Sequence, residues 1–207
     1  QGTAIKQGIP VAIVGATNAG KSSLLNALLG DDRAIVSNIH GTTRDVVEDT
    51  IEIGDYLFRF MDTAGLRETT DAIEQIGISR SLRAITKATI VLLVIDPVDD
   101  TAPQTYQKVM EELSQPEAML LVVSNKSDLH PSDGKLTFVA DNVAQMSVSC
   151  RTMQGVEELR QKLADTARAI SENATADALV TNARHAQILE SAVQSTARII
   201  DGLASGI

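Results

Sequence analysis

"GATNAGKS", residues 15–22, is the stretch whose reading decides the fold. It fits G-x-x-x-x-G-K-[ST], a pattern that carries meaning only between a strand and a helix. Upstream, "PVAIVG" (10–15) is a short apolar run ending in glycine, which predicts a buried strand. Downstream, "KSSLLNALLG" (21–30) sets Leu24, Leu25, Leu28 and Leu29 at helical spacing, with Gly30 where the helix would stop. Such a junction is an anion cradle. Glycines allow unusual backbone angles and close approach, so successive N–H groups can point at phosphate oxygens. The helix N-terminus adds a favourable potential for negative charge. Asn18, Ala19, Gly20, Lys21, Ser22 and Ser23 are therefore the candidate phosphate residues, with Lys21 reaching the β and γ oxygens and the Ser22 hydroxyl ligating Mg²⁺. A glycine-containing turn with an incidental lysine is the bland alternative, and pattern and context together disfavour it.

Further motifs arrive in the order that a guanine-nucleotide site needs. "HGTTRD" (40–45) sits in a polar, non-periodic stretch over 31–46, read as a loop in which the Thr43 hydroxyl completes the Mg²⁺ shell. "DTAG" (62–65) ends a predicted strand; Asp62 is placed to hold a Mg²⁺-bound water and the Gly65 N–H to contact a γ-phosphate, with Thr63 and Ala64 between them. "NKSD" (125–128) closes another strand, and Asp128 can accept hydrogen bonds from guanine N1–H and the N2 amino group. Adenine lacks that donor pair and would leave the carboxylate unpaired, at a cost of about 1–3 kcal/mol or more. Asn125 and the stem of Lys126 brace the base and its loop, and "SCR" (Ser149, Cys150, Arg151) offers backbone N–H groups to guanine O6. The expected ligands are GTP and GDP rather than ATP.

One position resists this reading. Many GTP-hydrolysing switches place a water-orienting glutamine directly after Asp-x-x-Gly, and here that residue is Leu66. Downstream, Glu74 reads on its own as an exposed carboxylate at a helix start. Asn18 likewise reads on its own as a local amide cap in its loop. Arg44 is paired in sequence with Asp45 and reads as a loop-ordering pair rather than an arginine finger.

The rest of the chain alternates strands and helices. "VVEDTIEIG" (46–54) and "YLFRFMD" (56–62) read as strands joined at Gly54–Asp55, a hairpin signal. A helix is expected over 76–88, a strand in "TIVLLVID" (89–96), a helix over 103–114, strands in "AMLLVVSN" (118–125) and "AQMSVS" (144–149), and an amphipathic helix over 155–170. This order predicts an α/β fold of the Ras-like P-loop type, a mostly parallel sheet with helices on both faces. Residues 1–170 form the nucleotide-binding domain, 171–178 a linker of small polar residues, and 179–207 a C-terminal helix whose apolar face includes Ile188, Leu189, Val193, Ile199 and Leu203. That face must be buried on this domain, on a copy of the chain, or on helices elsewhere in a longer protein. The start at Gln1 rather than Met is what a segment of a longer protein would give.

Composition excludes several classes. The 207 residues carry a net charge of −9 and 2% aromatics, so the basic face and stacking aromatics of a strong nucleic-acid binder are missing. The single cysteine, Cys150, leaves no internal disulfide or cysteine-based zinc site, and reads as a small residue in its loop. His40, His130 and His185 have no ligand spacing. The apolar runs are of strand length, so no membrane span is expected and the chain reads as cytoplasmic.

"NAGKSSLLNALLG", "AIVSNIHGTTRD", "DTAGLRE", the glutamate of "AIEQIGI" and the tail "TNARHAQILESA" together resemble the TrmE–Era–EngA–septin group of GTPases, and within it the G domains of the MnmE (TrmE) family of tRNA modification GTPases. The resemblance covers about residues 5–207; Thr17 departs from the proline usual in that family, which removes no ligand. It implies that Glu74 positions the attacking water indirectly, joining Lys21 and Gly65 as the catalytic set. It also implies a K⁺ ion held by the Asn18 side chain, the Ser37 and Ile39 carbonyls and Thr42, within a first switch that includes Asn38, His40 and Gly41. Two G domains would pair face to face with GTP bound, making a homodimer. A tRNA and an MnmG-type flavoprotein would be partners through other parts of the parent protein. The family's folate-binding domain and its C-terminal cysteine motif have no counterpart in this sequence, so the modification chemistry would lie elsewhere.

Three other readings compete. An Era- or EngA-like ribosome-assembly GTPase would carry an RNA-binding domain or a second G domain where a helical tail follows here. A nucleotide-dependent dimerisation switch with little catalysis is compatible with Leu66. A small-molecule kinase is disfavoured by "NKSD" and "DTAG" together.

Overall fold

Six strands pair in the order β2-β3-β1-β4-β5-β6. The computed structural model describes residues 8–30, 49–61, 84–113, 118–130 and 135–172. The strands are β1 (Ile9–Val14), β2 (Asp49–Ile53), β3 (Tyr56–Phe60), β4 (Ile90–Ile95), β5 (Met119–Ser124) and β6 (Ala144–Ser147). The helices are α1 (Lys21–Leu29), α2 (Ala102–Glu112) and α3 (156–172). Every pairing is parallel except β2 with β3, which form the expected hairpin. Gly54 takes the first turn position with φ 60°, where a two-residue type II′ turn requires a positive φ.

β4 is buried at all six positions of "IVLLVI". A strand covered on both faces can be continuously apolar, and its β-branched residues suit the pleated surface. One face carries α1 and α3: Leu24, Leu25 and Leu28 from α1 and Val156, Leu159, Leu163 and Ala167 from α3 pack on Phe58, Phe60, Leu92, Val94, Leu121 and Val123. The opposite face carries α2, whose Ala102, Tyr106 and Val109 pack with Val91, Leu93, Ile95, Leu120 and Val122. Each fully buried Leu or Phe side chain in these layers contributes about 1.5–3 kcal/mol. The Arg160 guanidinium of α3 donates to Leu28 O, supplying the basic cap that the last turn of α1 lacks in its own sequence.

Boundaries differ from expectation by a few residues. α2 runs from 102 to 112, and β6 ends at Ser147 because Ser149 turns away to bridge Gln154. α3 continues through 172, two residues into the stretch expected as linker. The C-terminal helix expected over 179–207 and most of the helix expected over 76–88 lie outside the described residues.

The topology fixes where a ligand can bind. From β1 the chain moves through α1 to β2 and β3 on one side, whereas from β4 it moves through α2 to β5 on the other. β1 and β4 are neighbours, so a crevice opens beyond their carboxyl ends, the position at which open α/β sheets take ligands.

Candidate nucleotide-binding site

The loop after β1 is built around two glycines. Gly15 leaves the strand with φ 151°, and a Cβ there would lie 2.2 Å from Val94 O, so only glycine lets the chain pass this close to β4. Gly20 caps α1 in the left-handed region (φ 99°), with no side-chain cap and no acidic residue in the first turn. Asn18 is also left-handed, at φ 60°, and exposed at the crown of the loop. An α-helix opening without a side-chain cap keeps its orphan N–H groups turned to the crevice, which favours an anion.

Lys21 reaches back across this loop. Its Nζ donates to Gly15 O at 3.0 Å and to Ala16 O at 2.7 Å. Burial lowers its pKa from the ordinary lysine value. A partly desolvated ammonium bonded to neutral carbonyls gains strongly from an adjacent phosphate. Ser22 and Ser23 follow in the first turn of α1, Ser22 half-buried and Ser23 exposed.

The base side is assembled from the ends of β4, β5 and β6. Asn125, 4% exposed, is the first residue after β5, and its N–H donates to Ile95 O. Its Nδ2 donates to Ala19 O at 3.0 Å and its Oδ1 accepts from Cys150 N at 3.2 Å. Lys126 adopts φ 65°, a left-handed conformation unusual for a long side chain, and its ammonium pairs with Asp96 at the end of β4. Asp128 accepts from Ser149 Oγ at 2.7 Å, and the exposed Arg151 guanidinium stands 3.9 Å from its second oxygen. An ionised carboxylate has about four acceptor positions. Asp128 therefore keeps the capacity for the two donors of a guanine edge.

The 149–151 loop is more internally engaged than the sequence reading expected. Ser149 N donates to Gln154 O and Cys150 N to Asn125 Oδ1, so both N–H groups bind loop to loop. The Cys150 thiol is pushed up to about 11 by burial and by the Asp128 charge. Sequence reasoning missed two contributors. One is Asp96, whose signal was an aspartate directly after an apolar strand; the other is the Ser149 hydroxyl, which fixes Asp128.

The structure thus brings together Asn18, Ala19, Gly20, Lys21, Ser22, Asn125, Lys126, Asp128, Ser149, Cys150 and Arg151 beyond the carboxyl ends of the strands. The first-switch candidates Ser37, Asn38, Ile39, His40, Gly41, Thr42 and Thr43 lie outside the described residues, as do Asp62, Thr63, Ala64, Gly65, Leu66 and Glu74. Among the described residues there is no cluster of His, Cys, Asp and Glu able to hold a metal, and no helix long and apolar enough to cross a membrane.

A glycine-built phosphate loop joined through one asparagine to a guanine-selective loop, on a sheet of this topology, defines a P-loop GTPase domain. The model of the family described as 50S ribosome-binding GTPase matches residues 10–126, more than half of the chain, and the chain belongs to that family. The fold is similar to a GTP-binding protein from Sulfolobus solfataricus in complex with GDP, with TM-score 0.57 and 24% identity over 80% of this chain and 54% of that one. It is also similar to the G domain of the T. maritima FeoB iron transporter, with TM-score 0.53 and 24% identity, covering 77% of this chain and 98% of that one.

More similar in sequence are proteins named tRNA modification GTPase MnmE. That of Parabacteroides distasonis is 46% identical over 210 residues, covering 100% of this chain and 45% of the relative. That of Moorella thermoacetica is 40% identical over 215 residues, covering 100% of this chain and 46% of the relative. The chain therefore spans a little under half the length of these relatives.

Proposed function

We propose that this chain is the GTP-hydrolysing module of a tRNA wobble-uridine modification protein, Mg²⁺-dependent, K⁺-stimulated and activated when two G domains pair. The observation that carries it is the Asn125 amide, which holds the phosphate loop and the base loop in one frame. The tRNA part rests on the MnmE-named relatives, which match the full length of this chain.

The chemistry follows from residue types. Lys21 and the N–H groups at the start of α1 bind the β and γ oxygens; Asp128 reads guanine. Mg²⁺ is a hard cation that takes oxygen ligands and keeps waters, and a half-buried serine hydroxyl at the head of α1 suits it. Ser22 and Thr43 would hold it, with Asp62 on a bound water, and it would neutralise charge on the phosphate oxygens.

Phosphoryl transfer also needs charge stabilisation of the kind an arginine finger gives, about 10³–10⁵ in rate or roughly 4–7 kcal/mol of barrier. A K⁺ ion held by Asn18, Ser37, Ile39 and Thr42 would supply it. An amide oxygen and backbone carbonyls suit a large monovalent cation. Supporting this, Asn18 is exposed on a left-handed backbone, and its amide makes no hydrogen bond among the described residues, unlike a local cap. Glu74 takes the place of the glutamine that Leu66 replaces, orienting water indirectly. An ordered first switch is needed for the cation, so pairing of two domains and catalysis are coupled. The tRNA and an MnmG-type flavoprotein act through other parts of the parent protein, in the cytoplasm.

The test is GTP turnover at equal ionic strength in KCl and in NaCl, with Glu74→Ala alongside. Faster turnover in KCl and lost turnover at unchanged GTP affinity in the variant are expected. Equal fast rates in both salts would remove the cation, and full activity of Glu74→Ala would remove the water-positioning role. The family description keeps an Era-like ribosome-assembly role as a second reading; stable binding of ribosomal subunits without any tRNA modification defect would favour it.

A further inference from the structure

Asp96 follows the last residue of β4, at the end of the strand that separates β1 from β5. Its Oδ1 accepts the Val98 N–H at 3.3 Å, and its Oδ2 accepts Lys126 Nζ at 2.5 Å. The carboxylate is thus anchored by its own turn and points at the lysine 30 positions away. Both side chains are largely shielded, Asp96 14% and Lys126 32% exposed, so solvent screens the pair less than an ordinary surface bridge. Burial alone would raise the Asp96 pKa, but the Lys126 bond, the Val98 N–H and the Lys126 and His130 charges outweigh it and leave the net value lowered.

A lysine stem has many rotamers and seldom holds one line unless its ammonium is tethered. Here the backbone at Lys126 is already left-handed, so the direction of the side chain is set at both ends. The β4 and β5 ends do not need the ion pair to stay together, because Asn125 N also donates to Ile95 O.

We propose that Asp96 is a positioning residue for guanine-nucleotide binding: by holding the Lys126 ammonium it fixes the stem of that lysine as the rigid surface on which the base is seated. This rests on the nucleotide-binding reading above and adds a residue to it.

A thermodynamic cycle on nucleotide release tests the role. Dissociation of fluorescent GDP and of a non-hydrolysable GTP analogue would be measured for wild type, Asp96→Asn, Lys126→Met and the double variant, with Asp96→Glu as rescue. Asp96→Asn is expected to speed release of both nucleotides about tenfold, as loss of a charge-assisted bond would. In the Lys126→Met background the same change should do nothing further, and Asp96→Glu should recover most of the retention. The thermal midpoint should move by less than about 2 °C. Unchanged release from Asp96→Asn, or an undiminished effect in the Lys126→Met background, would overturn the proposal. A wild-type chain that bound no guanine nucleotide would overturn the site reading itself, and this inference with it.

Discussion

The Asn125 amide donates to Ala19 O at 3.0 Å, a bond between residues 106 positions apart. Through its other atom the same side chain accepts from Cys150 N, so one buried residue joins the loops after β1, β5 and β6. Phosphate site and base site are therefore parts of one hydrogen-bonded frame. Networks of this kind stiffen when every member is satisfied and fail when one is removed.

Asn125→Ala should expose that dependence. It leaves the Ala19 carbonyl and the Cys150 N–H without their partner, at about 1–3 kcal/mol for each group that stays buried. For a domain of this size each kcal/mol lowers the thermal midpoint by about 2–4 °C. Thermal unfolding and GDP titration should both show a loss, and an unchanged midpoint would mean the bridge is not structural.

Gly20→Ala adds a Cβ 2.1 Å from Asn125 Nδ2, on a backbone already at φ 99°. The side chain in the way is held by two hydrogen bonds and cannot simply swing aside. Gly54→Ala is the control, since among the described residues its Cβ would meet only Ala164 Cβ at 3.8 Å, on a backbone at φ 60°. Both should lose stability through left-handed strain of about 1–2 kcal/mol. Only Gly20→Ala should weaken GDP binding, by about tenfold or more, as read by calorimetry.

Cys150 should be an unreactive thiol. With its pKa raised from 9.0 to about 11, alkylation by iodoacetamide at pH 8 should run on the order of a hundredfold slower than for an unhindered cysteine. In denaturant it should proceed at the ordinary rate. The sign of the linkage is also fixed. The folded chain keeps this proton more tightly than the unfolded one, so the contribution to stability is complete below about pH 9.0 and is lost as pH rises through about 11. Cys150→Ala should flatten that part of the stability–pH curve.

Much of this was legible in the residues because the signals were local. The strand–"GATNAGKS"–helix junction, the Gly54–Asp55 turn and the apolar β4 each depend on neighbours in sequence, and each formed where expected. The residues that tie loops together were harder to see. Nothing near Asp96 in sequence announces Lys126, and nothing near Ser149 announces Asp128, because both contacts are created by strand order. The partners of the Ser149 and Cys150 N–H groups were hidden for the same reason: Gln154 and Asn125 come from a tight bridge and from another strand end.

The most direct measurement is a binding competition among GDP, ADP and xanthosine diphosphate, with wild type and Asp128→Asn. The Asp128 carboxylate should accept the two donors of guanine, so wild type should prefer GDP to ADP by at least about a hundredfold. Asparagine presents a donor where xanthine carries a carbonyl, so Asp128→Asn should lose GDP and gain the xanthine nucleotide. A wild-type chain that holds ADP as tightly as GDP would contradict the account at its centre.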